Sequence, residues 1–135
     1  MFVRELNSPF RDTRMAIRSD GLEMIFTSNR PGGIGPARLN LNLWVSTRAS
    51  TRDPWTKPVN LGRPINYGSG FGDRGPALSF DGKTLYFASN RPGGSGKFDL
   101  WMATRSKLHE EDEESGHHAR PRISLITPAR NRCAR

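Results

Sequence analysis

No apolar run in this 135-residue chain approaches the roughly 20 residues that a membrane-spanning helix needs, so membrane insertion is not expected. A single cysteine, Cys133, excludes an internal disulfide and gives no information about redox compartment. The opening stretch, MFVRELNSPF, lacks a basic segment followed by an apolar core, so no secretory signal is expected in this chain. All three histidines, His109, His117 and His118, fall near the C-terminal end, away from the serines at 19, 28, 79 and 89. With no G-x-S-x-G either, a nucleophilic triad has nothing to build on. The three histidines and Cys133 match no closed zinc spacing and have no regular segment to fix their geometry. Carboxylates are sparse before residue 106, and most sit in turns, where no pair is set up for acid–base work. The string GGSGK at 93–97 imitates a phosphate loop, but Arg91 stands where the first glycine belongs and Phe98 where a magnesium-binding Ser or Thr belongs. No catalytic residue, cofactor site or metal site is expected.

What the chain does have is turn chemistry. Fourteen glycines and ten prolines accompany a hydrophobic fraction of only 34%, which suits many short strands better than long helices. The net charge is +8, yet its distribution argues against a nucleic-acid surface. Residues 1–105 hold 15 Lys and Arg against 8 Asp and Glu, and the remainder hold 6 against 5. The basic residues are scattered through turns and strand ends, whereas neutralising successive phosphates requires a focused stripe.

The chain repeats itself. Asp20 recurs as Asp81, Gly21 as Gly82, Asn29 as Asn90, Arg30 as Arg91, Pro31 as Pro92 and Gly32 as Gly93, all 61 residues on. Trp44 recurs as Trp101 after 57, because the first copy carries four extra residues within IGPARLNLN. Upstream, Leu6-Asn7 matches Ile65-Asn66 and Asp12 matches Asp73. One unit therefore spans about 6–64, and a second spans 65–105 without a counterpart to PWTKPVNLG at 54–62.

Each unit parses into short strands. In the second, a strand around Ala77-Leu78-Ser79 meets the Asp81-Gly82 pair, a strong hairpin signal, and is followed by a strand over Thr84–Ser89. Leu85, Tyr86 and Phe87 are consecutive there, as are Met24, Ile25 and Phe26 in the first unit, so both faces of this strand are expected to be covered. SNRPGG then supplies a type II turn, with Pro fixing φ and Gly accepting φ > 0. A third strand is expected over Leu43–Thr47 and Leu100–Thr104, and a fourth, at an edge because of Pro54 and Pro58, over Trp55–Leu61. Asp20 and Asp81 are expected to accept local backbone hydrogen bonds, and Trp44 and Trp101 to pack between layers. Arg91 and Asp99 flank the glycine loop, and a contact within about 4 Å is expected between them in the second unit only, since Asn42 replaces the acid in the first.

Taken together, PALSFDGKTLYFASNRPGGSGKFDLWMATR resembles the PD40, or WD40-like, β-propeller repeat of TolB-like six-bladed propellers. Pro76, Asp81, Gly82, Tyr86-Phe87, Ser89, Arg91, Gly93-Gly94 and Asp99-Leu100-Trp101 carry the likeness. The earlier copy carries it at Asp20, Gly21, Phe26, Ser28, Arg30, Gly32-Gly33 and Leu43-Trp44, departing at Asn42 and at Arg18-Ser19. The resemblance covers about residues 6–105. It implies an all-β fold of antiparallel four-stranded β-propeller blades, here a partial propeller of about two blades over 1–105. A charged segment, 106–135, is expected to be a disordered tail, with Ile123–Ile126 able to pair only if a strand edge is available.

Family members of this kind mostly present protein-binding surfaces and are often periplasmic or extracytoplasmic. The expected function is thus a non-enzymatic scaffold for a protein partner. The alternatives are an accessory propeller piece of a larger hydrolase, peptidase or carbohydrate-active enzyme, and a weak nucleic-acid binder. Six such units would need roughly 360 residues. The chain is therefore expected to be a piece of a longer or degenerate propeller, or else to self-associate through exposed blade faces or edges.

Overall fold

A computed structural model of the chain describes residues 2–35, 41–68 and 72–105, together with the backbone of 125–128. The described residues are all-β, with no helix, and none could therefore cross a membrane as a long apolar helix. β1 (Asp12–Ile17), β2 (Glu23–Ser28), β3 (Asn42–Thr47) and β4 (Val59–Asn60) form one antiparallel sheet in that order. β5 (Asp73–Leu78), β6 (Thr84–Ser89) and β7 (Asp99–Thr104) repeat the arrangement in a second sheet. Along the free edge of β7 runs β8 (Leu125–Pro128). The apolar cluster near Ile126 thus finds its edge, two residues later than expected, and lies where β4 lies in the first sheet. A strand edge selects its partner by main-chain groups, so no sequence match to residues 54–62 is needed. The rest of 106–135, and with it the expectation of disorder, lies outside the described residues.

Local chemistry explains the elements. At each Asp-Gly hairpin the glycine takes positive φ, 76° at Gly21 and 70° at Gly82, while the aspartate accepts a main-chain N–H two residues on, from Leu22 at 2.9 Å and from Lys83 at 3.0 Å. Each first strand carries a bulge, between Thr13 and Met15 and between Arg74 and Ala77, where the extra residue also has φ > 0. β4 shrinks to two residues because Pro54 and Pro58 lack the N–H groups a ladder requires. Between them, Thr56 continues the contact irregularly, its N–H reaching the Thr47 carbonyl at 2.9 Å.

The two sheets stack. Register places Ile25 and Thr27 on one face of the first sheet with Val45 and Leu43, and Met24 and Phe26 on the other with Trp44. The Ile25–Leu43–Val45 face packs against Leu85, Phe87, Trp101 and Ala103 of the second sheet, with Ile65 wedged among them. Each large side chain buried here contributes about 1.5–3 kcal/mol, which makes this layer the main source of cohesion. Phe26 and Trp44, on the far face, are covered by Leu6, Met24 and Trp55 from within the first unit.

The expectation of two-sided cover holds for β2 and fails for β6. Every residue of β2 is buried or half-buried, whereas β6 alternates and leaves Tyr86 exposed. The reason is geometric: the first sheet has a neighbour on one face and its own loops on the other, but among the described residues no second layer covers the Tyr86 face.

Polar contacts fix the stacking. The Asp73 N–H donates to the Leu41 carbonyl at 2.8 Å, the Ser19 hydroxyl to the Phe80 carbonyl at 2.9 Å, and the Gly75 N–H to the Thr27 hydroxyl at 3.2 Å. Fully buried Asn66 reaches across, accepting from the Leu43 N–H at 2.8 Å and donating to the Leu43 carbonyl at 2.9 Å. Gly72 sits at the closest approach, where a Cβ would lie 2.1 Å from the Leu41 carbonyl oxygen.

Candidate functional site

The residues that repeat do not converge on one cleft. Asp20-Gly21 and Asp81-Gly82 occupy the hairpins that open β2 and β6. Asn29, Arg30, Pro31 and Gly32, and likewise Asn90, Arg91, Pro92 and Gly93, follow the opposite ends of those strands. Gly32 and Gly93, each after its proline, take φ of 90° and 95°, as a type II turn demands. Trp44 and Trp101 are buried within the packed layers.

What these turns do locally is fold an arginine back onto its own sheet, half-buried at Arg30 and buried at Arg91. β1 and β2 pair so that Asp12 lies opposite Ser28. The Ser28 hydroxyl donates to Asp12 Oδ1 at 2.7 Å, and Arg30, two residues on, folds back so that its Nη2 meets the same oxygen at 2.7 Å. Its Nε donates to the Ser28 hydroxyl at 3.0 Å, and Nη2 also reaches the Leu6 carbonyl at 2.6 Å. The guanidinium lies over the rings of Phe26 and Trp44, 4.9 and 5.6 Å from their centres.

The second unit reproduces the cluster. Asp73 lies opposite Ser89 in register, and Arg91 Nη2 meets Asp73 Oδ1 at 2.8 Å while its Nε donates to the Ser89 hydroxyl at 3.0 Å. The Pro64 and Ile65 carbonyls accept from the remaining N–H groups, and the guanidinium lies over Phe87 and Trp101 at 5.1 and 5.3 Å.

The expected Arg91–Asp99 contact is therefore corrected. Arg91 is buried but turns toward Asp73, and an equivalent ion pair exists in the first unit between Arg30 and Asp12. Asp99 has a different task. Its Oδ2 accepts the Gly96 N–H at 3.1 Å and presses so close to Gly94 that a Cβ there would lie 1.9 Å away. Asn42 does the same in the first unit, accepting the Ile34 N–H at 2.6 Å beside Gly33. An amide oxygen replaces a carboxylate oxygen without loss of this loop contact. Its other oxygen-linked partner, the Asn60 amide at 3.1 Å, ties the loop to β4 as well.

A second buried ionic cluster lies at the junction of the sheets and was not anticipated from sequence. Arg105 donates to both oxygens of Glu23, Nη1 to Oε2 at 2.9 Å and Nη2 to Oε1 at 2.5 Å, and its Nε donates to the Gly82 carbonyl at 2.8 Å. Arg18 stands beside them, 3.9 Å from Glu23 Oε1, with its Nε shared between the two Asp20 oxygens at 2.8 and 2.9 Å. Of these four groups, all but Asp20 are buried.

Chemically, these charges are engaged in holding loops and sheets. Arg30, Arg91 and Arg105 donate to carbonyls and carboxylates that cannot move without unpacking the layer. Among the described residues no group of three or more His, Cys, Asp or Glu is placed to hold a metal ion, and His109, His117, His118 and Cys133 lie outside the described residues. No family model and no curated protein matches the chain.

One of these carboxylates carries a pH signature. Burial pushes the Asp12 carboxyl up, but hydrogen bonds from the Ser28 hydroxyl, the Ser8 main chain and hydroxyl, and Arg30 outweigh it and hold the group below its ordinary 3.8. A carboxylate whose folded value is depressed stabilises the fold above its unfolded pKa and stops doing so as pH falls through the folded value. Acidification below about pH 4 is therefore expected to lower the thermal midpoint of the wild type more than that of Asp12→Asn. Parallel melting curves between about pH 3 and 7 check this; midpoints that fall by equal amounts would remove Asp12 from the acid response.

Proposed function

We propose that the chain is a non-enzymatic β-propeller repeat protein of the PD40 type, whose two sheets are successive blades and whose role is to bind a protein partner. The observation that carries the reading is the way the units stack. The Phe87–Trp101 face of the second sheet packs on the opposite, Ile25–Leu43, face of the first, so the units follow one another in a constant sense. Blades around a propeller axis follow one another in this sense. The Asp-Gly hairpins, the arginine-bearing SNRPGG turns and the order of the strands support it further. The blades are read as units of about 6–64 and 65–105, the second extended along its edge by β8.

The commitment of the buried arginines and acids to structural contacts supports binding over catalysis. Each of these groups already holds hydrogen-bond partners, within its own unit for Arg30 and Arg91 and across the sheet junction for Arg105 and Glu23, and a scaffold needs them there.

Calorimetry on purified components tests the proposal. Proteins cross-linked to the chain in an extract of its host are made individually and titrated against it, and at least one saturable complex of fixed stoichiometry is expected. Turnover of peptide, ester or glycoside substrates by the purified chain would overturn the reading. So would the failure of every candidate to bind saturably.

A further inference from the structure

Four exposed apolar side chains of the two sheets form two patches. On the second sheet, Tyr86 and Leu100 are 43% and 61% exposed, while their repeat counterparts Ile25 and Leu43 are 3% and 0% exposed. On the first sheet, Met15 and Ile17 are half exposed or nearly so, while their counterparts Pro76 and Leu78 are buried and part-buried. Asn7 is exposed and spends its amide on the Val3 carbonyl at 2.8 Å, while its counterpart Asn66 is fully buried across the sheet junction.

Register sorts these residues by face. Ile17 pairs with Met24 and Met15 with Phe26, so both lie on the face of the first sheet that points away from the second. Tyr86 pairs with Met102 and Ala77, and Leu100 with Ala88, on the face of the second sheet that points away from the first. Each of these four is thus placed where its counterpart is buried or half-buried inside the chain. The inner junction is a worked example of what fits the outer faces.

We propose that a second copy of this chain docks head to tail, its Met15–Ile17 face on the Tyr86–Leu100 face, repeating the inner junction between molecules. The patches differ, so the contact is heterologous and leaves one free face at each end of the pair. In it, Asn7 exchanges its local bond for the main chain at Leu100, as Asn66 binds that of Leu43. One feature of the inner junction is missing. Glu23 has Thr84 as its counterpart, and Arg48, the counterpart of Arg105, lies over the Trp55 ring at 4.2 Å instead of on an acid. Without that ion pair, docking is weaker than the inner junction and depends on concentration. The proposal rests on the stacking of these two sheets and not on the identity of any scaffold partner.

Light scattering and sedimentation of the full chain from about 5 to 500 µM, with single and mixed variants, test it. The wild type is expected to grow beyond the 15.1 kDa monomer as concentration rises. Leu100→Asp alone and Ile17→Asp alone each spoil one face and should stay monomeric. Their equimolar mixture should recover a species of twice the monomer mass and nothing larger, because one intact face remains on each partner. Tyr86→Arg and Met15→Glu serve as replacements if either variant loses its native β spectrum. A wild type that stays monomeric throughout overturns the proposal, as does a single variant that associates like the wild type, or a mixture that stays monomeric. A monomeric wild type that still binds a foreign protein would sink the stacking and leave the scaffold reading intact.

Discussion

Arg91→Ala is expected to lower the unfolding free energy by about 3–5 kcal/mol, a third or more of the stability typical of a small domain. The loss does not come from the ion pair as such. Asp73 is fully buried, with Oδ1 on Arg91 and Oδ2 on the Tyr67 N–H at 2.8 Å, and truncating the arginine leaves its charge in a layer that water does not reach. The Pro64 and Ile65 carbonyls lose their donors in the same step, and the rings of Phe87 and Trp101 lose the cation above them. Arg30→Ala removes the same contacts from the first unit, but Arg30 and Asp12 keep side-chain exposures of 13% and 10%, so water can rehydrate the stranded acid and a smaller loss is expected. Denaturant titrations of the two variants check the order. Arg91→Met combined with Asp73→Asn removes both charges together and should recover a substantial part of the loss. A double variant as unstable as Arg91→Ala would mean that packing, and not the uncompensated carboxylate, sets the cost.

That the partner of Arg91 is Asp73 was within reach of the sequence. Asp12 and Asp73 repeat with the same 61-residue offset as Arg30 and Arg91, so a pair between them can form in both units. Asp99 has Asn42 as its counterpart and could serve one unit only. Closeness along the chain favoured Asp99, yet a strand carries residues apart by about 3.3 Å each while antiparallel pairing brings distant ones together. The strands themselves were legible because turn chemistry is local: Asp-Gly and Pro-Gly dictate φ wherever they occur, and the apolar runs between them fix the register. Burial was less legible. Met24-Ile25-Phe26 and Leu85-Tyr86-Phe87 read alike, but whether a face is covered depends on whether a neighbouring layer exists. β8 was the hardest, since its sequence repeats nothing. The glycine that follows Gly32 or Gly93 looks like further turn chemistry in the sequence; the approach of Asn42 and Asp99 shows that it is there to leave room.

Glu23→Gln is expected to cost about as much as Arg91→Ala, some 3–5 kcal/mol, and to act on the joint between the sheets. Glu23 neutralises Arg105 directly and Arg18 in part, while Asp20, with 45% of its side chain exposed, pairs with Arg18. Replacing the carboxylate by an amide keeps the volume and leaves two buried guanidinium groups with a single, half-solvated acid between them. The amide also presents an NH2 group to one of the Arg105 nitrogens, a donor facing a donor. Hydrogen exchange distinguishes this loss from one confined to a single sheet. Amides of β2 and of β6 should lose protection together, because the joint is what Glu23 secures, whereas Thr84→Ala at the counterpart position should leave both unchanged. If β2 alone loses protection, Glu23 serves its own hairpin and the sheets are held by apolar contact. Glu23→Leu with Arg105→Met should then separate the two contributions: recovery of stability in that pair would show that the charges give the joint its register, while Ile25, Leu43, Phe87 and Trp101 give it its strength.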